Sequence, residues 1–124
     1  MESVIEKNEV AEERLTAFAN NPLRPLIEKM TARIAQEYRP EQIILYGSQA
    51  TGKARSDSDV DLFIVKQTGE SFITRCASVK MLLRNLRGKV PVSIIVLTPE
   101  EVQKRLERGD QFIEQILERG IQLL

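Results

Sequence analysis

The sequence predicts a single α/β (α+β) domain, a small mixed β-sheet flanked by helices. Three observations carry that expectation. Apolar stripes at helical spacing alternate with short apolar runs bounded by Gly, Pro or Asp. The chain has 124 residues, enough for one domain to bury a core without disulfides or a structural metal. Its composition, 42% hydrophobic and 29% charged, is that of a folded globular chain rather than a disordered one. No repeat, low-complexity tract or linker divides it, so residues 1–124 read as one unit with residues 1–20 as an N-terminal helical extension.

The elements follow in order. From Ser3 to Ala19, Val4, Ala11, Leu15 and Phe18 recur at roughly helical spacing among Glu, Lys and Arg, which predicts an amphipathic helix. Asn20 to Pro25 is a break, and Pro25 suits the first turn of a second helix. Leu26, Ile27, Met30, Ile34 and Tyr38 carry that helix to about Tyr38, and Pro40 ends it. The run QIILYG is a buried strand closed by Gly47, Ser48 to Lys53 a short helical turn, and ARSDSD a polar connector. Val60 to Val65 is a second strand, after which KQTGE turns the chain. Phe72, Cys76, Val79, Leu83 and Leu86 mark a helix stopped by Gly88, and Val90 to Leu97 a third strand with Pro91 near its start. Thr98, Pro99 and Glu101 form a capping-box helix start. Asp110 caps a last helix carrying Phe112, Ile113, Ile116 and Leu117; Gly120 ends it before a short final strand in IQLL.

Composition also excludes chemistry. There is no histidine and one cysteine, Cys76, so Cys/His zinc sites, Ser-His-Asp hydrolysis and imidazole bases are ruled out within this chain. Lys+Arg and Asp+Glu are 18 each, so no strong nucleic-acid or acidic-membrane signal arises from charge. The lone cysteine and the lack of a secretion-signal pattern or a bilayer-length apolar run lead to the expectation of a cytoplasmic protein. Any metal chemistry must rest on oxygen ligands, which favours Mg²⁺ or Mn²⁺.

The stretch LYGSQATGKARSDSDVDLFIV holds two phosphate-handling patterns. Gly47, Gly52 and Lys53 spell most of a P-loop, but Ala54 stands where a hydroxyl should meet Mg²⁺, and the chain re-enters a strand at Val60 with no room for the required helix. The second pattern fits better: strand, Gly47-Ser48, ten residues, then Asp59-Val60-Asp61 leading an apolar strand. Gly47 lets backbone amides approach a triphosphate and Ser48 adds a hydroxyl. Asp59 and Asp61, two apart on a strand, share one face while Val60, Leu62 and Ile64 point the other way. Paired carboxylates repel unless a cation lies between them, and Mg²⁺ suits both them and substrate phosphates.

These residues resemble the minimal nucleotidyltransferases of the DNA polymerase β-like superfamily, whose pattern is GS-x10-DxD. VPVSIIVLTPEEV and FIEQILERGIQLL also resemble stretches in small stand-alone members. The resemblance implies the nucleotidyltransferase fold, with Gly47 and Ser48 on the β- and γ-phosphates, Asp59 and Asp61 on the metals, and Lys53 and Arg55 as phosphate contacts. It implies transfer of AMP or another NMP from ATP or another NTP to a partner hydroxyl. Such proteins are often paired with HEPN-domain proteins in toxin–antitoxin systems, and homo-oligomers are possible. The family also carries a third carboxylate on the next strand. Here that position is Ser93, read either as a weak neutral ligand or as a serine bonded to backbone. The alternative function is therefore a catalytically weak nucleotide- or partner-binding module that neutralises a partner by contact.

Overall fold

The computed structural model describes residues 4–55 and 58–124, with residues 4–11 as backbone only. The expected helix start at Ser3, the side chains of Val4 and Ala11, and Ser56 and Asp57 of the connector lie outside the described residues. The order is α1 (Val4–Ala19), α2 (Arg24–Glu37), β1 (Gln42–Tyr46), α3 (Ser48–Thr51), β2 (Val60–Val65), α4 (Phe72–Leu83), β3 (Val92–Leu97), α5 (Pro99–Glu107), α6 (Gln111–Arg119) and β4 (Ile121–Gln122). The predicted element order holds. Pro25 lies in the first turn of α2, as its fixed φ and missing amide allow. Thr98 and Glu101 form the reciprocal capping box, and Asp110 caps α6 through the amides of Phe112 and Ile113.

Three boundaries differ from the sequence reading. β3 begins at Val92, because Pro91 offers no amide and its carbonyl instead accepts from Val60 N–H. The helical turn after Gly47 stops at Thr51, where Gly52 adopts the left-handed conformation at φ 77°. α4 ends at Leu83, ahead of Gly88; Leu86 still packs against the core from the turn that follows.

The sheet order is β3-β2-β1-β4. β1 pairs antiparallel with β2 and β4, whereas β2 and β3 run parallel, joined by the α4 crossover. Strand alternation divides the core into two layers. On one face Ile43, Leu45, Leu62, Ile64, Ile94 and Val96 pack with Ile27, Met30 and Ile34 of α2 and with Cys76, Val79 and Leu83 of α4. On the other, Ile44, Phe63, Val65 and Leu97 pack with Ile113 and Ile116 of α6, joined by Val102 and Leu106 of α5. The predicted stripes are only partly buried: Phe18 reaches the first layer, while Leu15, Phe72, Phe112 and Leu117 remain exposed.

Among the described residues only three polar side chains are buried: Gln49, Arg75 and Thr98. Two belong to one cluster. Arg75 reaches Glu101 at 2.6 Å and the Glu70 carbonyl at 2.7 Å, tying α4 to the capped start of α5. No helix among the described residues is long and apolar enough to cross a membrane.

Candidate active site

The site forms where three strands end in one row. Tyr46 is the last residue of β1 and pairs with Asp61 on β2, which pairs in parallel register with Ser93 on β3. Because side chains alternate, these three share the sheet face of Ile44, Phe63 and Ile95. Helices α5 and α6 cover that face further along; at this end Tyr46, Asp61 and Ser93 are half-buried. An edge-on contact between the Tyr46 and Phe112 rings, 5.8 Å between centroids at 86°, anchors the row to α6.

The chain leaves β1 through Gly47, at φ 72° and ψ −156°, a combination open essentially to glycine alone. A Cβ there would collide with Oδ2 of Asp61, so the bare glycine backbone lies directly against the carboxylate. The Gly47 carbonyl accepts from the amides of Ala50 and Thr51, which bends the chain into α3. Gly47 and the acid are thus neighbours in space although fourteen positions separate them in sequence.

Asp59 is exposed and ends the polar connector, one residue ahead of β2, whose Val60–Val65 bounds are those the sequence predicts; the two acids therefore do not both lie on the strand as their spacing suggested. The ladder stops at Val60, whose amide bonds the Pro91 carbonyl, and leaves Asp59 on the connector. The two carboxylates nevertheless feel each other. Burial, and then the charge of Asp59, raise the pKa of Asp61 above its ordinary value. Burial and the Asp61 charge likewise push the Tyr46 phenol up to about 12, with the nearby Ser93 hydroxyl acting in the opposite direction.

The donors gathered here are all oxygens: two carboxylates, a hydroxyl and a phenol. Asp59 and Asp61 fit one hard divalent cation, whose charge would relieve the repulsion that raises the Asp61 pKa. A triad of acidic, cysteine or histidine ligands does not occur among the described residues. Glu101 is committed to Thr98 and Arg75 and cannot supply a third carboxylate. Lys53 and Arg55 are exposed on the connector, and Arg55 lines a separate cavity with Asn21, Leu23 and Gln49.

Sequence reasoning missed Tyr46 and Gln49. The strand-end position of Tyr46 was legible, but its face relative to Asp61 depends on register. Gln49 follows Ser48 and reads as an ordinary polar residue, yet it is 1% exposed.

The family model for "Polymerase beta, Nucleotidyltransferase" matches residues 28–124. A solved structure described as a candidate minimal nucleotidyltransferase is 29% identical, with a TM-score of 0.57 over 82% of this chain and 96% of that one. A candidate nucleotidyltransferase from Sulfolobus solfataricus shares the fold at 21% identity and a TM-score of 0.51, covering 75% of this chain and 77% of its own. No curated protein matches.

Proposed function

This chain belongs to the polymerase β-like nucleotidyltransferases, and from that premise we propose that it transfers a nucleoside monophosphate, AMP by the family's habit, from an NTP to a hydroxyl on a partner protein. The observation that carries the proposal is the contact of the Gly47 backbone with Asp61, which joins a phosphate corner to a carboxylate pair. The Ala50 and Thr51 amides are taken up by the Gly47 carbonyl, so it is the amides of Ser48 and Gln49, with the Ser48 hydroxyl, that can hold the β- and γ-phosphates. Asp59 and Asp61 would hold Mg²⁺ or Mn²⁺, which when bound neutralises phosphate charge and orients the α-phosphorus. Lys53 and Arg55, exposed on the connector, can close over the triphosphate.

The acceptor oxygen attacks the α-phosphorus in line, the bond to the bridging oxygen of the β-phosphate breaks, and pyrophosphate leaves. The acceptor's proton has no third carboxylate to receive it and passes to water. A HEPN-like helical protein is the partner that the family resemblance suggests.

A second reading rests on Ser93. With a neutral hydroxyl paired beside Asp61 in the carboxylate position, the site would keep nucleotide binding while losing general-base help typically worth about 10²–10⁴-fold in rate. The protein would then act by binding its partner. Incubation with α-labelled ATP, Mg²⁺ and the product of the adjacent gene separates the two. Label on the partner that disappears with Asp61→Ala supports transfer; neutralisation of the partner by Asp61→Ala without any labelling by wild type overturns it.

A further inference from the structure

We infer that Gln49 is a positioning residue that holds the Asp59 connector in register with the phosphate corner, an inference that rests on the transferase reading of that corner. Gln49 sits one position after Ser48, inside the short helix α3, and is buried to 1% exposure. Its Oε1 accepts from Asn21 Nδ2 at 2.7 Å, and its Nε2 donates to the Ser58 carbonyl at 3.4 Å. Asn21 is itself fixed in the α1–α2 turn, where its Oδ1 accepts from Leu23 N–H at 2.8 Å and its amide donates to the Phe18 carbonyl. One buried amide thus links three segments: the α1–α2 turn, the phosphate corner and the residue before Asp59.

Burying an amide is costly unless both ends are bonded, so its placement follows from what it connects. Among the described residues, the other bonds of residues 54–58 are internal: Ser58 N–H to the Arg55 carbonyl, and Arg55 N–H to Ser58 Oγ at 2.7 Å. A cavity of about 570 Å³ lies beside the segment, lined by Ala54, Arg55 and Gln49 together with Asn21 and Leu23. Asp61 is held by the β2 ladder on both sides. Asp59 lies outside that ladder, and the Gln49 bond to its neighbour sets where its carboxylate stands relative to Asp61.

The test compares full-length wild type with Gln49→Met, which keeps the shape and removes both bonds, and Gln49→Glu, which keeps the acceptor for Asn21 and removes the donor to Ser58. Amide hydrogen exchange across residues 53–60 is read without nucleotide, and ATP affinity is read with Mg²⁺ and with EDTA. Both variants should speed exchange at 53–60 roughly tenfold, about what one lost hydrogen bond yields, with β1 and β3 changed less than about twofold. The Mg²⁺-dependent gain in ATP affinity should fall roughly tenfold while metal-free affinity stays within about twofold. Unchanged exchange at 53–60, or exchange rising equally across the sheet, overturns the inference. Wild type lacking Mg²⁺-dependent ATP affinity sinks the transferase reading instead, and exchange alone then decides the role of Gln49. Should Gln49→Met fail to fold, Asn21→Ala in the half-buried turn applies the same criteria.

Discussion

Ser93→Asp restores the carboxylate that the site lacks, and its consequences can be worked from the register. Ser93 is the direct parallel partner of Asp61, so the new carboxylate stands one strand spacing away, about 5 Å. Two unit charges at that distance repel by roughly 3 kcal/mol at an effective dielectric of about 20, and by about half that in a half-solvated site. Without metal at pH 7, the variant should be less stable by about 1.5–3 kcal/mol, roughly 5–12 °C in Tm for a domain of this size.

The pH dependence carries a definite sign. The pKa of Asp61 is already raised by burial and Asp59, and a third carboxylate raises it further. A carboxyl with a raised folded-state pKa favours the folded state below its unfolded pKa and loses that advantage as pH rises through the folded value. The deficit of the variant should therefore be largest at neutral pH and shrink toward pH 4. Mg²⁺ or Mn²⁺ should reverse it, with at least about tenfold tighter metal binding and a rise of roughly 10–10²-fold in transfer to the partner. Thermal melts with and without Mg²⁺, followed by transfer from α-labelled ATP, measure both. A variant whose stability, metal response and rate all match wild type would show that Ser93 does not face the metal site.

Two further substitutions probe neighbouring features. Gly47→Ala places a Cβ against Oδ2 of Asp61 at a backbone conformation alanine scarcely adopts. It should cost about 2–3 kcal/mol by urea unfolding and weaken Mg²⁺-dependent ATP binding more than tenfold; wild-type values in both would refute the contact. Glu101 is raised by burial, but its bonds from Thr98 and Arg75 outweigh this and hold its pKa below the ordinary value of 4.5. Its stabilising contribution is present above that ordinary value and lost as pH falls through the lowered one. Arg75→Met should therefore destabilise at pH 7 by about 1–3 kcal/mol, discounted because Glu101 is 40% exposed, with the difference narrowing below about pH 4 in acid melts. A constant difference from pH 7 to pH 3 would assign the loss to packing alone.

Much of the fold was legible because local signals agreed with one another. The helical stripe of α2, the Thr98–Glu101 box and the Asp110 cap are complete within a few residues, so the chain needs no tertiary partner to declare them. Elements whose limits depend on a neighbour were less legible. Val90 and Pro91 look like strand, but only pairing with β2 decides where the ladder begins, and it begins at Val92. Exposure on α6 was also hidden: Phe112 has the spacing of a core residue, yet it is half-exposed against the edge of Tyr46.

For the candidate site the division is similar. The sequence by itself determined the chemistry available: no imidazole, one thiol, and a glycine-serine corner followed at a set spacing by two carboxylates on oxygen-only terms. It also determined the absence of an acid at position 93, since residue identity needs no fold. Only the tertiary structure decided that Tyr46, Asp61 and Ser93 form a row, that the Gly47 backbone touches the acid, and that Gln49 is buried between Asn21 and Ser58. The physical reason is range. Conformational preference and capping act over a few residues, whereas strand register and buried polar bonding join positions that are distant along the chain and meet only when the sheet has formed.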